Sequence, residues 1–172
     1  MPQEHFKPFL SPAVIKETVG SIAERIDEDY AGKTPLLVGV LKGAFVFLSD
    51  LARALKADAE IEFIQAASYG KRDSPASEVL ITGEIGTDVR GRDIIIVEGI
   101  IDRGTTARAV FDYLSSKGPA SIKVCSLLVR DSHSGLAVDY AGRTIGPGFV
   151  VGYGMDYKGL HRNLPGVFIV DK

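Results

Sequence analysis

At 172 residues the chain is long enough to bury a core of its own, and with a single cysteine, Cys125, it can hold neither an intrachain disulfide nor a multi-cysteine metal site. Hydrophobic residues make up 45% and the formal net charge is -2, which argues against a nucleic-acid coat or a membrane surface as partner. The start, MPQEHFKP, has neither the basic nor the apolar region of a leader, and no later run is apolar enough to span a bilayer, so one domain over 1–172 and a cytoplasmic location are expected.

In chain order, Ser11 and Pro12 open a helix as cap and first helical residue, and Ile15, Val19, Ile22 and Ile26 keep its spacing to about Tyr30. Residues 35–41 form a short apolar run of the kind buried on both faces, followed by a break at Lys42-Gly43 and a helical segment over 44–56. A second strand is expected over 59–67, a polar, turn-rich loop over 68–77 and a strand over 78–85 that pairs back across it. Residues 93–97 are the most strand-like stretch, 105–116 turns helical, and 121–129 is a further strand in which Cys125 reads as a packed thiol. The Gly-rich remainder carries short strands and a terminal apolar run over 166–170. Alternation of strand and helix with short connections predicts an α/β fold with a twisted, mostly parallel sheet and helices on its faces.

The stretch IIVEGIIDRGTTA, residues 95–107, passes from a central strand into acid, glycine and hydroxyl. In open α/β sheets ligands bind outside the carboxyl ends of the strands, so Glu98, Gly99 and Asp102 are expected at the rim, outside the core. Gly104, Thr105 and Thr106 then begin a helix whose first N–H groups lack intrahelical partners, a phosphate cradle in outline. Taken singly, Asp102 reads equally well as a plain helix cap. Arg103 favours the cradle, because a cation at a helix start is better placed beside a bound anion. Neither a Walker loop nor a dinucleotide fingerprint is present.

With these residues in place the chain resembles the purine phosphoribosyltransferases of the hypoxanthine-guanine type over about 37–171. Three further segments carry the likeness: Leu41-Lys42-Gly43, Ser68-Tyr69-Gly70, and Phe149-Val150 leading to Asp156 and Arg162. The resemblance implies a small hood of the chain termini over the base site. It also implies transfer of ribose 5-phosphate from phosphoribosyl pyrophosphate to hypoxanthine or guanine with Mg2+, in a homodimer or homotetramer.

Residue by residue, the likeness gives 102–106, including Arg103, to the 5-phosphate, Glu98 to the ribose diol and metal, and Asp102 to the general base. Phe149 would stack on the base, the Val150 backbone read its edge, Asp156 face magnesium and Arg162 hold pyrophosphate. Leu41, Lys42 and Gly43 would form the pyrophosphate loop, with a cis peptide between the first two, and Ser68 and Tyr69 a closing lid. Gly99 departs from the family, which places a second acid there, and Arg130 stands where relatives use a lysine against the purine oxygen. His5, His133 and His161 show no ligand spacing and receive no role. Two other readings stay open: a regulator of the same fold that senses nucleotides and binds nucleic acid, and a transferase for xanthine or a pyrimidine.

Overall fold

The computed structural model describes residues 5–69, 78–133 and 135–171. Its centre is a six-stranded sheet in the order β4-β3-β2-β5-β6-β7. The strands are β2 (Leu36–Leu41), β3 (Glu60–Tyr69), β4 (Glu78–Ile81), β5 (Asp93–Ile101), β6 (Ser121–Arg130) and β7 (Tyr140–Ile145), all parallel except the antiparallel edge strand β4. Three helices cover it: α1 (Pro12–Asp29), α2 (Phe45–Ala54) and α3 (Thr105–Ser115).

The strands split their side chains between two cores. Leu37, Ile95, Val97, Cys125 and Leu127 pack with α1 and α2, while Leu36, Val38, Ile94, Ile96 and Val124 pack with Ala107, Val110 and Leu114 of α3. Burial on both faces is why these strands read as unbroken apolar runs. Cys125 is fully buried, and burial pushes its thiol well above the usual range, as suits a packing residue.

Chain ends form a second, three-stranded antiparallel sheet in the order β1-β9-β8, from β1 (His5–Leu10), β8 (Phe149–Val151) and β9 (Val167–Asp171). Strand β1 was not expected. It carries Pro8, pairs only with β9 and stays largely exposed, so no buried alternation marks it. No helix among the described residues is long and apolar enough to cross a membrane.

Two boundaries matter for the site. Strand β5 continues through Glu98 and Gly99 to Ile101, with Glu98 opposite Ser126 and Ile100 opposite Leu128 of β6. Ser68 and Tyr69, expected in a loop, belong to β3 and pair with Val79 and Glu78, whereas 70–77 lie outside the described residues.

Candidate active site

Two helices begin at the carboxyl ends of the central strands without a side-chain cap. α1 is capped in the ordinary way, its Val14 N–H donating to the Ser11 hydroxyl at 3.3 Å. At α3 the cap residue is Gly104, in the left-handed region at φ 79°, and no side chain bonds to the first turn. Its orphan N–H groups therefore face outward beside exposed Thr105 and half-buried Thr106, as a cradle requires. α2 likewise starts from Ala44 with no side-chain cap, just after the exposed Lys42 and the cis peptide between Leu41 and Lys42.

Asp102 is not the helix cap. Its carboxylate is 63% exposed and accepts a hydrogen bond from Arg130 Nε at 3.0 Å. Arg130, only 11% exposed, also donates from Nη1 to the Gly146 carbonyl, three residues before Phe149. One guanidinium thus ties the acid before α3 to the turn that leads to Phe149. Arg103 is exposed.

Glu98 corrects the expectation of a rim position. It lies within β5 and is 8% exposed, and burial with no cation beside it pushes its carboxyl up to about 8. Gly99 explains the missing second acid in part: a Cβ there would fall 2.7 Å from the Gly43 carbonyl oxygen and 3.6 Å from Met155 Cγ. The same carbonyl would lie 2.8 Å from a Cβ on Gly154. The loop after β2 therefore seats between β5 and the segment that carries Asp156.

Asp156 and Arg162 form an ion pair at 2.7 Å, about one quarter to one third exposed. Asp156 Oδ2 also accepts the Gly159 N–H at 2.7 Å, and Arg162 Nη1 donates to the Gly154 carbonyl at 2.7 Å. Phe149 is 42% exposed, so its face is not spent on the core, while Val150 is buried in β8 opposite Ile169. Tyr157 meets Phe149 edge-on at 5.4 Å between ring centroids, and Phe6 from β1 meets Tyr157 at 6.4 Å. Sequence reasoning had missed both rings. Nothing in the local pattern marks them, because the hood that joins them pairs the two chain ends.

Among the described residues no three His, Cys, Asp or Glu side chains gather into a metal cluster. The carboxylates the family likeness assigns to magnesium are hard donors, Asp156 about one third exposed and Glu98 buried without a counter-charge. That set suits magnesium held by one or two carboxylates plus substrate oxygens and water. Gly43, just before α2, seats against Gly99 of β5 and Gly154, two residues before Asp156, and Arg130 ties Asp102, just before α3, to Gly146, three residues before Phe149.

Residues 11–158 match the phosphoribosyl transferase domain family. The chain belongs to that family. Similar proteins include the hypoxanthine phosphoribosyltransferase of Escherichia coli K12, 39% identical over 157 residues that cover 89% of this chain and 88% of that protein. The hypoxanthine-guanine phosphoribosyltransferase of Aquifex aeolicus is 35% identical over 96% of this chain and 94% of its own. A crystal structure of a hypoxanthine-guanine phosphoribosyltransferase from Bacillus anthracis superposes with a TM-score of 0.92 at 35% identity, covering 97% of this chain and all of that one. The α/β expectation with a terminal hood is thereby met.

Proposed function

We propose that this chain, as one domain, transfers the 5-phosphoribosyl group from phosphoribosyl pyrophosphate to hypoxanthine or guanine, giving the nucleoside monophosphate and pyrophosphate in the cytoplasm. The observation that carries the reading is the pair of uncapped helix starts, α2 after β2 and α3 after β5, two strands that pair in parallel, with Glu98 in β5 and Asp102 just after it. Each helix start offers oriented N–H groups to an anion, so a substrate with a phosphate at one end and a pyrophosphate at the other has a matching pair of sites.

In this reading 102–106 holds the 5-phosphate and Glu98 accepts from the ribose hydroxyls, while Leu41, Lys42, Gly43 and Arg162 take pyrophosphate. Phe149 stacks on the base and the Val150 backbone reads its edge. Asp102 takes the proton from the ring nitrogen as that nitrogen attacks the sugar carbon, with Arg130 holding the carboxylate in place and a further guanidinium N–H available for the purine oxygen. Magnesium, held through Asp156 and Glu98 with substrate oxygens, would neutralise charge on the leaving pyrophosphate. Ser68 and Tyr69, at the end of β3, would close the site against water.

A homodimer or homotetramer is supported by Ile61 and Phe63 of β3 and Phe45 of α2, large apolar side chains that are 48%, 41% and 42% exposed. The nucleic-acid-binding regulator is disfavoured by a net charge of -2. The direct test incubates the protein with phosphoribosyl pyrophosphate, Mg2+ and a panel of hypoxanthine, guanine, xanthine and uracil, and identifies products by mass. Inosine and guanosine monophosphates are expected. A nucleotide from xanthine or uracil alone would move the assignment to another acceptor, and no nucleotide from any base would overturn it.

A further inference from the structure

The connection between β6 and β7 passes behind the phosphate cradle, and it carries a side chain to which no role has been given. His133 sits in the turn after β6, where its backbone N–H donates to the Arg130 carbonyl at 2.9 Å. Its ring Nε2 lies 2.7 Å from the Leu136 carbonyl oxygen. A carbonyl only accepts, so Nε2 carries the hydrogen and Nδ1 is left a bare acceptor in the neutral ring. Nδ1 is buried, and among the described residues it has no hydrogen-bond partner.

The ring rests on the turn that opens α3. A Cβ on Gly104 would fall 2.8 Å from His133 Cε1 and 3.2 Å from Nδ1, so the imidazole fills the space that a side chain at the left-handed Gly104 would need. A side chain at 104 would have to displace the ring. A buried acceptor with no partner is destabilising in the free protein and calls for an explanation. Here it stands directly behind the helix start expected to receive a dianion.

The charged side chains on the segments packed against the ring are Asp102 and Arg103 before α3, Arg130 at the end of β6 and Asp131 just after it. Asp102 and Arg130 offset one another across their 3.0 Å pair. Arg103 and Asp131 are of opposite sign and both exposed, so solvent screens them. The largest change in local charge on substrate binding is therefore the phosphate itself.

We propose that His133 is a positioning residue of the phosphate cradle: its ring holds the Gly104 turn from behind and, by taking a proton at Nδ1 from solvent, becomes a positive floor when a sugar phosphate dianion binds. This rests on the assignment of 102–106 to the 5-phosphate. Linkage makes the effect reciprocal: the anion raises the affinity of the ring for its proton by the same factor as the protonated ring raises the affinity for the anion.

The test uses the full wild-type chain with ribose 5-phosphate as probe, following the His133 ring and the Gly104, Thr105 and Thr106 amides by NMR across pH. Saturation with ribose 5-phosphate is expected to shift those amides and to raise the His133 titration midpoint by about one pH unit, a tenfold linkage. In parallel, His133→Asn and His133→Phe should each weaken ribose 5-phosphate binding about fivefold at pH 6.5, leave magnesium pyrophosphate binding unchanged, and remove the part of the pH dependence that exceeds the phosphate's own ionisation. A purely packing role would be rescued by His133→Phe. Amides that shift while the ring midpoint stays fixed would overturn the inference and leave the cradle intact. Amides that do not move would instead refute the cradle, and the inference with it. The wild-type titration decides even if neither variant folds.

Discussion

The two ends of the six-stranded sheet treat charge in opposite ways. At the amino end Lys123 Nζ sits 2.7 Å from Asp29 and 3.1 Å from the Tyr140 hydroxyl, with the Tyr30 and Tyr140 rings 5.6 and 5.2 Å from it. Asp93 accepts from Ser121 at 2.5 Å and pairs with Lys33 at 3.2 Å, and Arg92 pairs with Glu60 at 2.9 Å. Hydrogen bonds from Lys123 and Tyr140 hold the Asp29 carboxyl below its ordinary range, and the Ser121 hydroxyl does the same for Asp93. At the carboxyl end Glu98 is buried with burial as its only perturbation, Asp102 faces solvent, and two helix starts go uncapped. At one end the charged side chains are paired within the folded chain. At the other a buried carboxyl and two helix starts have no side-chain partner, as suits an edge left open for ligands.

That contrast can be broken most forcefully at Asp102. Asp102→Asn keeps an oxygen for Arg130 but cannot take a proton, so kcat should fall about 10²- to 10³-fold. With the carboxylate 63% exposed, the unfolding free energy should stay within about 0.5 kcal/mol of wild type. Steady-state kinetics beside urea denaturation checks both. A variant with near-normal kcat would show that positioning alone carries the rate.

Glu98 offers the next largest effect, and on stability. Its carboxyl titrates near 4.5 in the unfolded chain and is pushed up to about 8 in the fold. The folded state therefore binds the proton more tightly than the unfolded one. The stability this confers is full below pH 4.5 and is lost as pH rises through 8. At pH 7 the loss is about 3 kcal/mol, which Glu98→Gln should recover in the free protein. Urea melts at pH 5, 7 and 8 should show the gain growing with pH. An equal gain at all three would mean that the carboxyl is already ionised in the fold.

The sequence made the parallel core legible because burial on both faces leaves an apolar run at the centre of β2, β5 and β6. It hid the far end of β5, where Glu98 and Gly99 interrupt the apolar run although Ile100 and Ile101 stay in register with Leu128 and Val129. A polar residue inside a paired strand looks from sequence like the end of that strand. The Asp102–Arg130 tie was equally hidden: it joins residues 28 apart through the parallel register of β5 and β6, which no local pattern encodes. Gly104 to Thr106 was legible because the helix start is a local feature. The roles expected of Lys42, Phe149 and Asp156 came from family likeness, because no local pattern in the sequence joins them.

Gly99 sharpens the comparison at a middle scale. Where the family likeness implies a second acid, this chain has a residue whose missing Cβ is the space that the Gly43 carbonyl fills, 2.7 Å from where that atom would be. The neighbour is backbone, so it cannot rotate away. Gly99→Ala should displace the loop after β2 and raise the KM for phosphoribosyl pyrophosphate about tenfold, equivalent to about 1.4 kcal/mol of binding, with a smaller effect on kcat. Gly99→Asp meets the same carbonyl and should be no better. An Asp variant more active than wild type would mean that the loop has room and that the acid was simply lost.

The smallest effect is expected at the amino end, and its smallness is informative. Lys123→Met keeps much of the side chain's apolar stem between the two tyrosine rings and removes the ammonium that Asp29 and the Tyr140 hydroxyl share. The pair is partly exposed, 35% for Lys123 and 46% for Asp29, so solvent screens most of the Coulombic gain, and Tm should fall by about 3 °C. Catalysis should not respond, because β6 carries Lys123 near one end and Arg130 at the other, with a fully buried Val124 to Leu128 between them that fixes the register independently. Equal kcat and KM beside a lowered Tm would separate the two ends of the strand. A fall in kcat matching the fall in Tm would show instead that the sheet transmits the loss along its length, and the division of labour drawn from the charges would not hold.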